Sequence, residues 1–149
     1  MEIVHVEGKK IEGLRLRTSN AQEMNPKTAK IPDFVAHVDK NLTIDYKQGS
    51  RAWSIYYNYE SDEKGEYDVL MGSDGVASSK LPMENVVIES GSYLKFVGSG
   101  EFPKAIIDTW QKVWSHFSND NCPHKRRFTT DFEFYDGPEK VSIYIALEQ

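Results

Sequence analysis

Apolar residues fall along this chain in two rhythms, and their order in the first half returns in the second. Residues 2–19 read as extended: Ile3 and Val4, a break at Glu7-Gly8, then Leu14 and Leu16 alternating with Arg15 and Arg17. Thr18-Ser19-Asn20 closes the segment with turn formers. Ile31, Phe34, Val35, Val38 and Leu42 then recur at the spacing of one apolar helix face, with Pro26 and Pro32 at or before its start. Residues 45–50 read as loop. A ring-rich strand over 52–59, a charged turn over 60–65 and a returning strand over 66–72 make a hairpin. The polar stretch 73–80, punctuated by Pro82, reads as a surface connection.

The second half repeats the order. Val86-Val87-Ile88, a break at Gly91 and residues 93–97 are extended, and Gly98-Ser99-Gly100 turns the chain. Ile106, Ile107, Trp110, Val113, Trp114 and Phe117 mark an apolar helix face, with Pro103 in its first turn. Residues 118–124 read as loop, 127–135 as strand, 136–139 (DGPE) as a tight turn and 140–147 as the closing strand. The order is β-α-β-β, then β-α-β-β. Laid on each other, the halves bring Leu14 near Leu94, Phe34 near Trp110, Asn58 near Glu133 and Leu70 near Tyr144. We therefore expect an α+β fold: one domain over 1–149 in which a βαββ module, about 1–75, is duplicated at about 85–149 around a pseudo-two-fold. Antiparallel sheets, with one helix per module, would leave a groove at the seam, a common place for ligands.

Composition narrows the function classes. Lys and Arg number 18 against 23 Asp and Glu, a formal charge of −5, which suits a cationic partner and not the phosphates of nucleic acid. No run approaches the roughly 20 apolar residues of a membrane span, and the N-terminus lacks a secretory pattern. Cys122 is the single cysteine, so no internal disulfide forms and a reducing cytoplasm is the expected compartment. Rings are the excess component, at 12% of residues, and they concentrate in the strands.

Strand alternation assigns faces. Phe128, Thr130, Phe132 and Phe134 share one face with a natural claim on the helices, as do Val141, Ile143, Ile145 and Leu147. That assignment leaves Asp131, Glu133, Tyr135 and Tyr144 on the other side, with Ser54, Tyr56, Asn58 and Leu70 as the matching face of the first hairpin. Two such faces opposed across a seam would give a groove walled by rings and floored by a carboxylate, suited to a flat lipophilic cation. On alternation alone Glu133 reads first as a solvated strand residue, and helical periodicity already accounts for Trp110 and Trp114 as core. His116, Cys122 and His124 lie close in sequence without a CxxC or HxxxH pair, and no metal is expected from that spacing. No phosphate loop or nucleophile elbow is present, and Lys125-Arg126-Arg127 reads as a solvated basic run.

The segments Tyr93-Leu94-Lys95-Phe96, Ile107-x-x-Trp110-x-x-Val113-Trp114, Asp131-Phe132-Glu133-Phe134-Tyr135 and Ile143-Tyr144-Ile145-Ala146 together resemble the gyrase-inhibitor-like family, the effector-binding domain of multidrug-responsive regulators of the AraC and MerR types. Gly13-Leu14-Arg15, Ile31-Pro32-x-Phe34 and Tyr67-x-Val69-x-Met71-Gly72 agree more loosely. The resemblance implies a pseudo-symmetric pair of βαββ modules whose central groove binds hydrophobic, often cationic, compounds. It maps the family's acidic groove residue onto Glu133 and the tyrosine of its last strand onto Tyr144. Face assignment adds Asp131, Tyr56 and Asn58, and Tyr93 and Trp110 lie in segments that carry the likeness. No cofactor is implied. Residues 1–20 are extended and offer no helix-turn-helix, so the expectation is a stand-alone member, similar to those on mobile gene cassettes, that does not bind DNA directly. Two other readings stay open: a hydrolase of strained-ring natural products using Glu133 with Tyr144 or Tyr56, and a modulator of a DNA-processing enzyme through protein contact. A protein partner or weak homodimer fits any of the three.

Overall fold

Alternating and helical rhythms resolve into ten strands and three α-helices over residues 1–148, the part of the chain described by the computed structural model. In chain order these are β1 (Glu2–Val6), β2 (Lys9–Ser19), α1 (Asn20–Glu23), α2 (Ile31–Asn41), β3 (Leu42–Ile44), a 3-10 turn at Tyr46–Gln48, β4 (Ala52–Tyr57), β5 (Glu66–Ser73), β6 (Val76–Ser79), β7 (Glu84–Ile88), β8 (Gly91–Ser99), α3 (Lys104–Ser118), β9 (Thr130–Tyr135) and β10 (Lys140–Ala146). Among the described residues no helix is long and apolar enough to cross a membrane.

Eight strands form one antiparallel sheet in the order β1-β8-β10-β9-β4-β5-β2-β7, curled into a half-barrel. Read from its middle, the order gives β4-β5-β2 in one direction and β9-β10-β8 in the other, which is the pseudo-two-fold duplication. The outermost strands are exchanged: β1 pairs with β8 of the second half, and β7 pairs with β2 of the first. The halves therefore meet along a seam, as expected, but side by side and not face to face. They are hydrogen-bonded into a continuous sheet through β4 and β9, where Ser54 pairs with Glu133 and Tyr56 with Asp131.

Several element ends differ from the sequence reading for local reasons. The ring-rich strand stops at Tyr57 because Asn58 takes a left-handed φ of 54°, a conformation its short polar side chain tolerates. The penultimate strand starts at Thr130, not 127, because Phe128 is also left-handed, at φ 57°. Its ring there lies 4.4 Å from the Arg126 guanidinium. Gly98 does not turn the chain; it lies inside β8, where a Cβ would come within 1.9 Å of Thr109 Oγ1 on α3. Only a glycine lets the helix approach so closely. Part of the polar stretch 73–80 is strand as well, since β6 pairs with β3 in a two-stranded sheet.

Register sorts the side chains into two layers, and here the face assignment of the last hairpin needs correcting. Antiparallel partners share a face, and Ile143 pairs with Glu133 and Val141 with Tyr135. Glu133 therefore lies on the same side as the aliphatic face of β10, beneath the helices, and Phe132 and Phe134 lie on the opposite side. The phase is set by the turn between β9 and β10, closed by the Asp136 N–H donating to Lys140 O (3.0 Å). A one-residue change in such a turn exchanges the faces, and alternation within each strand does not report it.

The layer away from the helices is buried by strands alone: Ile11, Ile55, Leu70, Ile88, Tyr93, Phe132 and Ala146, closed by Val4, Val6 and Trp53. The curl of the sheet makes this core possible. On the helix side, α3 packs over β8 and β10, burying Val113 against Leu94, Phe96, Val141, Ile143 and Ile145. Helix α2 packs over β2 and β5, burying Phe34 and Val38 against Leu14, Tyr67, Val69 and Met71. Each helix covers the flank of its own half, which leaves a cleft above the central strands β4 and β9.

Candidate ligand-binding site

That cleft has a volume of about 1250 Å³. Its floor is the helix-side face of the central sheet, Ser54, Tyr56, Glu133 and Tyr135, continued by Tyr59, Tyr67 and Met71. One wall comes from α2 through Ile31, Pro32, Val35 and Val38. The other comes from α3 and its approach through Phe102, Pro103, Ile106, Ile107, Trp110 and Trp114. Val35 and Ile107 are exposed although both are aliphatic, because they face the cleft and not the sheet. Five carboxylates border the space (Glu23, Asp39, Glu63, Glu133 and Asp136) against two arginines, Arg51 and Arg126.

Glu133 is the centre of the floor, only 2% exposed. Its Oε2 accepts from Tyr56 Oη–H at 2.7 Å and from Trp110 Nε1–H at 2.5 Å, and its Oε1 accepts from Tyr135 Oη–H. Burial pushes the Glu133 carboxyl above its ordinary value of 4.5, and the bonds from Tyr135, Trp110 and Tyr56 pull against that rise. Burial, with the Glu133 charge beside it, raises the Tyr56 and Tyr135 phenols well above 10. Both phenols therefore keep their protons and donate. With the Tyr135 proton aimed at Glu133, Ser54 Oγ–H is the donor in its 2.8 Å contact with Tyr135 Oη. The result is a buried carboxyl group held by three aromatic donors. Tyr56 meets Trp110 edge-on, with ring centroids 5.2 Å apart, and Trp110 leans on Trp114 at 6.0 Å.

A second buried carboxylate lies next to this one along β9. Asp131 is fully buried and accepts from Arg126 Nη2–H (2.7 Å), Tyr59 Oη–H (2.5 Å) and the Ala146 N–H (2.8 Å). Those bonds tie β9, β10 and the cleft-lining Tyr59 together, so Asp131 supports the floor from behind. Arg126 is not the solvated residue its sequence neighbours suggest. Its side chain is 8% exposed, and its Nε–H is buried without a partner.

The residues singled out from sequence thus separate. Glu133, Tyr56 and Trp110 meet in the cleft. Tyr144 does not: it stacks on Phe132 on the opposite face of the sheet, ring centroids 4.5 Å apart, with Lys95 over its outer side. Tyr93 is buried in that same strand-only layer and donates to Glu89 O (2.6 Å). Asn58 is exposed, and its side-chain amide donates to Asp68 Oδ2 (2.9 Å). Tyr144, Tyr93 and Asn58 therefore lie outside the cleft lining, and Asp131 reaches it only through Arg126 and Tyr59. Tyr135 and Ser54, one alternation step from Glu133 and Tyr56, join the site. The α2 wall and Arg126 carry no signal in the sequence beyond apolar periodicity and a basic run.

Comparisons with known proteins agree with this architecture. A family model described as "Cass2: Integron-associated effector binding protein" matches residues 2–147. A putative transcriptional regulator protein, YobU, of Bacillus subtilis (strain 168) is 29% identical over 160 residues, covering 99% of this chain and 97% of its own length. The crystal structure of the integron cassette protein VCH_CASS2, from the mobile metagenome of Vibrio cholerae, superposes with a TM-score of 0.88 at 38% identity, over 99% of this chain and 95% of that one. The structure of SAV2435 bound to tetraphenylphosphonium shares the fold, with a TM-score of 0.59 at 11% identity over 99% of this chain and 93% of that one.

Proposed function

This chain belongs to the family of integron-associated effector-binding proteins, and from that premise we propose that its cleft holds a lipophilic organic cation. The observation that carries the reading is Glu133: a buried carboxylate, desolvated and bonded to three aromatic donors, on the floor of a large apolar cleft. A cation entering the cleft meets ring faces first, with cation–π attraction of about 0.5–2 kcal/mol per good contact. Behind the rings lies an anion that water does not screen, so its field reaches the ligand at a low effective dielectric. Apolar walls from α2 and α3 add burial of hydrocarbon and select against small hydrated ions. The surplus of carboxylates around the rim favours the same sign of charge. That a protein of this fold is described as bound to tetraphenylphosphonium agrees with the chemistry.

Both Glu133 oxygens already accept hydrogen bonds, which supports a fixed counter-charge over a base that activates water. The test uses tetraphenylphosphonium and the uncharged triphenylphosphine oxide, each titrated against wild type and Glu133→Gln by calorimetry or tryptophan fluorescence. We expect the variant to bind the cation at least about tenfold more weakly, a loss of about 1.4 kcal/mol, while the two proteins bind the oxide alike. Equal cation affinity in both proteins, or no binding by wild type, overturns the proposal.

A further inference from the structure

At the far end of α3, outside the cleft, three side chains converge that the sequence spacing gave no reason to group. We propose that His116, Cys122 and His124 form a three-ligand site for Zn²⁺, with its fourth position open to water. A ring nitrogen of each histidine and the Cys122 Sγ all lie within 4.8 Å of one another, and all three residues are half-buried. His116 Nε2 and His124 Nδ1 are hydrogen-bonded to each other at 3.0 Å. Their rings are inclined by only 33°, with centroids 5.2 Å apart, and binding an ion would replace the hydrogen bond between them. Zinc bonds of about 2.0–2.1 Å to nitrogen and 2.3 Å to sulfur in tetrahedral array need nitrogens about 3.3 Å apart and sulfur about 3.6 Å from each. The observed nitrogens require a shift of a few tenths of an ångström.

The three residues are brought together before any ion arrives, and the sulfur, within 4.8 Å of the nitrogens, has to close on them for ligation. His116 projects from the last turn of α3 and is held edge-on between Phe96 of β8 (5.9 Å) and Phe117 (5.0 Å). The following loop is turned back by the Cys122 N–H donating to Asn119 O (3.0 Å) and the Asn121 N–H donating to Asn119 Oδ1 (2.9 Å). The Cys122 thiol is left within 3.3 Å of His124 O. Two imidazoles and a thiolate are a borderline-soft donor set, matched to zinc and mismatched to Mg²⁺ or Ca²⁺, which prefer oxygen. On binding, the Cys122 S–H bond breaks, its proton goes to solvent, and the thiolate and two neutral imidazoles donate to the ion. Such an ion would pin the C-terminal turn of α3, whose other face supplies Trp110 and Trp114, to the segment that leads into Arg126 and β9. The inference does not rest on the cation reading of the cleft.

The test uses the untagged full chain, stripped with a chelator. ZnCl₂ is titrated in competition with a chromogenic chelator of micromolar affinity, and CoCl₂ is added in parallel to read a thiolate-to-cobalt charge-transfer band. We expect one equivalent of Zn²⁺ to bind and the cobalt band to appear in wild type. Cys122→Ser should lose the band and weaken Zn²⁺ binding by more than about tenfold, and His37→Gln, on α2, should change neither. Circular dichroism of Cys122→Ser checks that its fold is intact, and the wild-type cobalt spectrum reports thiolate ligation without any variant. Failure of wild type to compete for one equivalent, a cobalt complex without the thiolate band, or unchanged binding in Cys122→Ser overturns the site.

Discussion

Glu133 is held between two opposed effects, and its proton is the handle on both. Burial raises its carboxyl above 4.5, and three donated hydrogen bonds limit the rise. In the empty protein the folded state therefore holds this proton more tightly than the unfolded chain does. The stability this confers is fully present below about pH 4.5 and is lost as the pH climbs through the raised folded value. A bound cation acts in the reverse sense, since it favours the ionised carboxylate. Tetraphenylphosphonium affinity should rise by up to about tenfold per pH unit until the folded value is passed, then level off. Calorimetry at several pH values in buffers of different ionisation heat should record the released proton. In Glu133→Gln the affinity should stay flat over the same window. A wild-type profile as flat as the variant's would take Glu133 out of the account.

Elements obey what their residues make locally visible and escape what depends on a neighbour. Ile31, Phe34, Val35 and Val38 announce α2 by spacing, and Ile106, Trp110, Val113 and Phe117 announce α3 equally well. The side of the sheet on which Glu133 emerges was not legible, because it depends on the phase of the turn after Tyr135 and not on alternation within β9. Tyr144 was misplaced for the same reason: alternation groups residues by face but does not say which face the helices cover. Tyr93, named from the segment that carries the resemblance, is buried in the strand-only layer. Arg126 looked solvated because burial of its charge depends on Asp131, a partner on another element. Gly98, readable as a turn former, in fact governs helix docking. A Cβ at Gly98 would come within 1.9 Å of Thr109 Oγ1 and 3.3 Å of Ala105 O. Gly98→Ala should cost about 1–3 kcal/mol by overpacking. Adding Thr109→Ala should restore part of that loss but not all, because the Ala105 carbonyl stays close. Chemical denaturation of the two variants and of Thr109→Ala alone closes the cycle, and additive effects would mean that α3 does not contact β8 at this point.

On the scale of the whole molecule, the exchanged edge strands turn two similar units into one object. Strand β1 lends Val4 and Val6 to a core completed by Tyr93 and Ala146 of the other half, and β7 lends Ile88 to Ile11 across the same boundary. Neither half can bury its share of the strand-only layer by itself, and the β4–β9 pairing that makes the floor of the cleft also needs both. Cutting the chain in the exposed connection at residues 80–83 severs no sheet pairing, since β6 ends at Ser79 and β7 begins at Glu84. We propose on this basis that the units are interdependent: residues 1–81 and 82–149, expressed apart, should each lack cooperative unfolding, and mixing them should restore the circular dichroism of the intact protein. Rejoining then costs only the entropy of association, and it regains two exchanged strands and the central pairing. A half that folds cooperatively alone would show that the exchange decorates two autonomous units, and the cleft between α2 and α3 would then lie at a junction free to open.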